Sequence, residues 1–395
     1  MLQKTVIIEG ARTPFGKFGG GLQSKTASQL GGHAIKAALQ RANLDGTQVD
    51  YLIMGNVLQA GQGQIPSRQA GYYADLPWDV ETETINKVCA SGIRSVTIAD
   101  QMIRLGDAKV IVAGGMESMS NAPYFLEQAR FGLRMGNGVI KDAMTHDGLT
   151  CSFTNQHMGI YGNDVAKELN ISRDKQDEWA LQSHKRAIDA IENGRLLEEI
   201  EPVEITDRKG NITTIAQDEA PRSDTTVERL AKLSSVFSKE GTITAGNAPG
   251  VNDGACALVL TSEENSIERG LKPLATIVAH TSLAIEPKDF PKTPGLVINK
   301  LLEKTNKTVE DIELFEINEA FAAVALASQS LANLPSEKIN VNGGAVALGH
   351  PIGASGTRII LTLAYELRRR GGGIGIAAIC SGGGQGDAVM IQVEK

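Results

Sequence analysis

Apolar residues fall in short runs separated by glycine and charge, and this spacing sets the first expectations. Runs at 49–53, 110–113, 312–316 and 374–377 have the length of buried strands. Patterns at 98–105 and 361–367 recur at helical spacing. A further helix is expected over 174–193, where Asp174, Asp177 and Glu178 put negative charge at the start, as the helix dipole favours.

The pattern repeats itself. Cys89-Ala90-Ser91-Gly92-Ile93-Arg94-Ser95-Val96 and Gly353-Ala354-Ser355-Gly356-Thr357-Arg358-Ile359-Ile360 share Ala-Ser-Gly-x-Arg followed by apolar residues, 264 positions apart. The same separation carries the run at 110–113 onto 374–377, and one of 263 carries 49–53 onto 312–316. Segments matching in one order at nearly one separation imply an internal duplication. Each copy reads strand, helix, strand, strand-to-helix turn, helix, strand. That alternation predicts an α/β protein with a mixed or parallel sheet covered by helices. Two such sheets stacked through shared helices give a layered α/β/α/β/α core. Residues 123–245 have no counterpart in the second copy. The expected division is an N-terminal half over 1–122 plus 246–270, an inserted loop domain over 123–245, and a C-terminal half over 271–395. Insertions of this kind commonly carry specificity.

Composition narrows the function classes. With 46 acidic and 39 basic residues the net charge is −7, which argues against a nucleic-acid binder or a protein held to anionic lipid by charge. Hydrophobic residues make up 42% and charged residues 22%, so a folded core rather than disorder is expected. The 43 glycines in 395 residues point to tight turns and close backbone approaches. No apolar run reaches the ~18 residues of a membrane span. Met1 to Gly10 lacks a signal-peptide core, and Gln392 to Lys395 reads as no address tag. The 4 cysteines have no Cys-x-x-Cys spacing, which predicts neither a disulfide framework nor a structural zinc site and points to a reducing cytoplasm.

Four spots concentrate candidate chemistry, each at the C-terminal end of an expected strand, where open α/β sheets bind ligands. Cys89 stands at a strand-to-helix junction, where the helix dipole and free N–H groups are expected to lower its pKa below the reference ~8.5. A buried structural thiol is the alternative. His350 lies among glycines at the matching turn of the second copy, on an irregular loop that a ligand can approach closely. Cys380 ends an apolar strand ahead of Gly382-Gly383-Gly384, a loop without the Lys-Ser/Thr of a P-loop. Core packing is the alternative for this thiol. Asn318 opens an Ala-rich helix, where a capping role is the alternative to chemistry. Cys89 with His350 alone also suits a cysteine hydrolase, which would not need Cys380.

Together, Asn86-Lys87-Val88-Cys89-Ala90-Ser91-Gly92, Asn318-Glu319-Ala320-Phe321-Ala322, Gly349-His350-Pro351-Ile352-Gly353 and Cys380-Ser381-Gly382-Gly383 stand in an order that resembles the thiolase family over essentially the whole chain. The resemblance is greatest to its short-chain acetyl-CoA C-acetyltransferases. It implies a ping-pong condensation of two acetyl-CoA to acetoacetyl-CoA and CoA, and the reverse thiolysis. It implies Cys89 as nucleophile, His350 as its base, and the N–H groups of Cys89 and Gly382 as oxyanion donors. Cys380 is then the second acid/base, and His350 with a water on Asn318 stabilises the enolate. Neither a metal nor a redox cofactor is implied, since coenzyme A thioesters are substrates. Substrate contacts carry over onto Leu149, His157, Met158, Arg222, Phe237, Ala245, Pro249, Ala320 and Phe321. Pro249 departs from the family pattern, in which a serine hydroxyl contacts pantetheine there. Proline has no such donor, which leaves chain-length preference open. Arg229 likewise replaces a serine. Arg130, Arg134 and Lys141 fall in a stretch resembling a tetramerisation loop. A cytoplasmic homotetramer, a dimer of dimers acting on acyl-CoA and CoA, is therefore implied, with no nucleic-acid or membrane partner. A degradative 3-ketoacyl-CoA thiolase is the neighbouring alternative, although His157-Met158-Gly159 leans toward the short-chain type.

Overall fold

The apolar runs become strands of one large sheet in the computed structural model, which describes residues 3–394. Met1, Leu2 and Lys395, and the readings of the termini that rest on them, lie outside the described residues. In chain order the main strands are β1 (Thr5–Arg12), β2 (Tyr51–Gly55), β3 (Glu81–Ile85), β4 (Val110–Ser118), β5 (Asn252–Ser262), β6 (Ala275–Ala284), β7 (Leu314–Ile317), β8 (Gly373–Ser381) and β9 (Gln385–Val393). β4 and β5 are buried at every position. Covered on both faces, they carry long apolar stretches rather than a clean alternation.

The hydrogen-bonded order is β7-β8-β9-β6-β1-β5-β4-β2-β3. The series β6-β9-β8-β7 repeats β1-β5-β4-β2 strand for strand, and only the last pair of each is parallel. The duplication is thus present in the topology. One expectation is corrected: the halves are not two separate sheets. β1 and β6 join them through the pairs Val6 with Thr276 and Ile7 with Ala275.

The helices α1 (Ala27–Arg41), α2 (Ser91–Leu105), α3 (Met158–Glu168), α4 (Arg173–Glu192), α5 (Thr293–Thr305), α6 (Ala322–Ala332) and α7 (Ser355–Arg369) build the layers. α1 starts where Thr26 and Gln29 close a capping box, and its Ala/Leu face packs on β1, β4 and β5. α5 covers the other half-sheet, with α6 packed beside it. α2 and α7 lie between the half-sheets and touch each other. α7 is buried on all sides from Ser355 to Leu367, as a helix in a central layer must be. The layers therefore run α/β/α/β/α.

The repeated Ala-Ser-Gly has a packing cause. α2 and α7 meet at their N-termini through its two glycines. A Cβ on Gly92 would sit 2.8 Å from Thr357 N, and one on Gly356 would sit 2.3 Å from Ile93 N. Thr357 Oγ1 donates to Gly92 O at 2.9 Å across this contact. Without side chains there, the two helix starts touch. The turns leading into them carry Cys89 and His350.

The segment 123–245 includes α3 and α4, which pack against α6. Buried Arg12 on β1 ties this segment down. Its Nε donates to Glu199 at 2.6 Å, and Nη1 and Nη2 donate to Asp218 at 2.7 and 2.8 Å. A buried guanidinium is tolerable only with such paired carboxylates.

Candidate active site

Between β3 and α2 the chain makes a turn in which Val88 has a φ of 48°. For a β-branched residue this is a strained conformation, and it re-aims the chain at Cys89. Ser91 holds the turn: its Oγ accepts from Lys87 N at 2.8 Å and donates to Val88 O at 2.6 Å. Ser355, its counterpart in the repeat, holds the other turn. Ser355 Oγ donates to Pro351 O at 2.9 Å and lies 2.6 Å from His350 Nδ1. With the serine proton committed to Pro351, Nδ1 must carry a hydrogen and donate it. That leaves the lone pair of His350 on Nε2, where Asn318 Nδ2 approaches at 3.4 Å. The backbone of His350 is fixed from β5, its N–H donating to Asn252 Oδ1 at 2.9 Å.

Asn318 follows β7 and is fully buried, and its Oδ1 accepts no hydrogen bond from the described residues. Cys380 lies near the end of β8 and is also buried. The neighbouring carboxylate of Glu319 accepts from Trp179 Nε1 at 2.9 Å, Ser183 Oγ at 2.8 Å, Asn340 Nδ2 at 2.9 Å and Val346 N at 3.0 Å. It therefore locks α4 to the loop that carries Asn318.

These elements enclose a cavity of about 180 Å³ with mainly apolar walls. Of the residues singled out in the sequence, Cys89, Leu149, His157, Met158, Phe237, Pro249, Ala320, Phe321, His350 and Gly382 line it. Asn318 and Cys380 stand behind the lining. His157 caps α3, accepting from Gly159 N at 3.1 Å, and stacks on Phe237 at 4.4 Å. Arg222 and Ala245 do not reach the cavity: both are exposed, and Arg222 borders a separate groove with His184 and Glu192. Arg229, also exposed, pairs with Asp224. Sequence reasoning missed Met119 and Phe290 in the wall, and Ser355, Asn252 and Glu117 behind it. Ser355 was visible within the repeated motif. Glu117 was visible as an acid ending an otherwise apolar run. The use of each depends on segments far away in sequence.

The electrostatics correct one expectation. The Cys89 thiol is not lowered; burial pushes it up to about 12, and the charge of Glu117 adds to the rise. The N–H groups of Cys89 and Gly382 both reach its sulfur and pull the other way without prevailing. The helix-start effect is outweighed by loss of solvent. Burial likewise pushes Cys380 well up, helped by the proximity of Cys89. Burial, with Arg358 nearby, holds His350 down at about 3. The resting site at neutral pH is thus two thiols and a neutral imidazole. Among the described residues, no group of three or more His, Cys, Asp or Glu side chains is clustered to hold a metal ion.

His350 makes stability pH-dependent. Unfolding returns it to an ordinary value near 6.5, so below that pH the unfolded chain binds a proton that the native state refuses. This contribution is present above pH ~6.5 and is lost progressively toward pH 3. Between pH 7 and 4.5 the loss from His350 is about 3 kcal/mol. Glu117, raised to about 7 by burial, slopes the other way, so the comparison should be differential. The urea midpoint is expected to fall more steeply with acid in the wild type than in His350→Asn. Equal slopes would show that His350 is not held neutral.

Comparison with known proteins matches residues 5–264 to the thiolase N-terminal domain and 271–393 to the thiolase C-terminal domain. The chain is 47% identical over 390 residues to a probable acetyl-CoA acetyltransferase of Mycolicibacterium smegmatis, covering 98% of this chain and 100% of that one. It is 47% identical over 392 residues to the acetyl-CoA acetyltransferase of Escherichia coli, covering 99% of each. The crystal structure of the Bacillus anthracis acetyl-CoA acetyltransferase superposes with a TM-score of 0.97 at 41% identity, over 99% of both chains.

Proposed function

The chain belongs to the thiolase family of acyltransferases, and from that premise we propose that it is an acetyl-CoA C-acetyltransferase that joins two acetyl-CoA into acetoacetyl-CoA and CoA and runs the reverse thiolysis. The observation that supports this reading is the convergence of Cys89, His350 and the Gly382 amide on one apolar cavity, with Cys380 directly behind them.

The resting protonation states suit the chemistry. Cys89 attacks the thioester carbonyl as its proton passes to His350 Nε2, the nitrogen that carries the lone pair. A thiol raised this far needs that base, since little thiolate exists beforehand. The N–H groups of Cys89 and Gly382, which already converge on the sulfur, stabilise the tetrahedral oxyanion, worth roughly 3–4 kcal/mol for each such donor. The departing CoA thiolate takes the proton of Cys380, leaving acetyl-Cys89, a Cys380 thiolate and a His350 imidazolium. Acylation also caps Cys89, so no thiolate can form there to oppose ionisation of Cys380.

A second acetyl-CoA then gives a methyl proton to Cys380. The imidazolium and the amide of Asn318, whose free Oδ1 can hold a water, stabilise the enolate oxygen. The enolate carbon attacks the acetyl group, expelling the Cys89 thiolate, which recovers its proton from His350. Protons and electrons balance within these groups, so the cycle calls for no metal or redox cofactor.

The protein acts in the cytoplasm as a homotetramer. Phe131 (88% exposed) and Met135 (99% exposed), in the stretch resembling a tetramerisation loop, support that assembly. No helix among the described residues is long and apolar enough to cross a membrane.

Intact-protein mass after mixing with acetyl-CoA tests the reading. A single acetyl adduct on Cys89, with acetoacetyl-CoA accumulating, is expected. Consumption of acetyl-CoA to free acetate would make the protein a hydrolase and overturn it.

A further inference from the structure

Glu117 takes no part in the mechanism above, yet it bridges the two copies beneath the cavity. It lies near the end of β4 and is completely buried. Its Oε1 accepts from Asn56 Nδ2 at 2.8 Å and Leu58 N at 3.2 Å, and its Oε2 from Val57 N at 3.1 Å and Gly353 N at 3.0 Å. Val57 and Leu58 belong to the loop after β2, while Gly353 belongs to the turn between His350 and α7. The approach is tight: a Cβ on Gly353 would sit 2.5 Å from Met116 O and 2.8 Å from Glu117 Oε2.

The donors face the carboxyl from two sides and occupy both oxygens, as the ionised form requires. Burial and the neighbouring Asp253 raise it to about 7 while the three backbone N–H groups pull it down, so it is an anion at pH 8. Among the described residues it has no salt-bridge partner, and its charge acts on Cys89. The other groups bearing on this corner are Asp253 from β5, Cys380 from β8, and Arg358 from α7, which faces His350.

We infer that Glu117 is a positioning residue: its carboxylate pins the His350 turn to the wall that carries Cys89, and its uncompensated negative charge opposes a resting thiolate there. The thiol then surrenders its proton only when substrate and His350 are engaged. This role rests on the acyl-Cys89 reading, but its test does not depend on turnover.

The rate of Cys89 alkylation by iodoacetamide at pH 8, followed by peptide mapping, reads the charge directly. Glu117→Gln is expected to alkylate several-fold faster than wild type, because removing a nearby like charge lowers the thiol, although burial remains the larger influence on it. The same variant should lose roughly 10- to 100-fold in kcat, the scale of a displaced catalytic group, with KM for acetyl-CoA nearly unchanged. A merely structural role would lower activity without speeding alkylation in a variant whose thermal transition is intact. Glu117→Asp keeps the charge but shortens the reach. It should alkylate like wild type and still lose kcat, and it decides the matter if Glu117→Gln does not fold. Unchanged alkylation in Glu117→Gln, or wild-type kcat in Glu117→Asp, overturns the inference. A missing acetyl adduct in the wild type would instead remove the acyl-Cys89 reading and leave the alkylation comparison standing.

Discussion

Cys380→Ala is expected to accept an acetyl group on Cys89 and then stop. Intact mass should show the adduct at full occupancy, while acetoacetyl-CoA formation falls on the order of 10³–10⁴-fold, the scale of a lost general base. The first half-reaction needs Cys380 only to protonate the leaving thiolate, a task water can take over slowly. The second needs it to remove a carbon-bound proton, which water cannot do at a useful rate. Cys89→Ala should lose both halves, with roughly 10⁴–10⁶-fold lower turnover and no adduct. The contrast is informative because both thiols, half-buried Cys89 and buried Cys380, are raised by loss of solvent, so a general loss of packing would affect the two variants alike. Condensation at wild-type rate in Cys380→Ala would sink the division of labour between them.

A second large effect concerns the contact of α2 with α7. Gly356→Ala places a methyl group 2.3 Å from the backbone nitrogen of Ile93, and backbone cannot rotate aside as a side chain can. About 3 kcal/mol or more of destabilisation is expected, at the upper end of overpacking costs, because two central-layer helices must separate. The melting temperature should fall by several degrees. Activity should fall further than the folded fraction, since the turns holding Cys89 and His350 move with the helix starts. Gly92→Ala meets Thr357 N at 2.8 Å and should act in the same direction. Unchanged stability in both variants would show that the helix starts have room to part, and the packing account of the repeated motif would fail.

Local pattern carried the strand and helix assignments a long way. The runs at 110–113 and 374–377 lie inside β4 and β8, and the expected helix over 174–193 corresponds to α4, Arg173–Glu192. Burial on both faces leaves its mark on each residue of a strand separately, so those segments were readable one at a time. The Ala-Ser-Gly repeat exposed the duplication because one close contact imposes the same glycine on both of its partners. Cys89, His350, Cys380 and Asn318 were picked out for a related reason: each has small residues beside it, with Cys89, Cys380 and Asn318 close to strand ends and His350 on the loop before α7.

Other features arise only when distant segments meet. The direction of the Cys89 shift was misjudged because the helix start lies next to it in sequence. The burial that outweighs it comes from cavity walls contributed by both copies and the insertion. The proton on His350 Nδ1 follows from Ser355 being committed to Pro351, a matter of distances that no spacing encodes. Arg222 was placed by motif beside the nucleotide end of CoA; that it stands exposed on a groove with His184, outside the cavity, belongs to the packed molecule. The joining of the half-sheets rests on the two residue pairs of β1 and β6, hundreds of positions apart. Propensity and periodicity are properties of neighbouring residues and can be read along the chain. Desolvation, tautomer and cross-sheet pairing are properties of neighbours in space, and they exist only once the layers have closed.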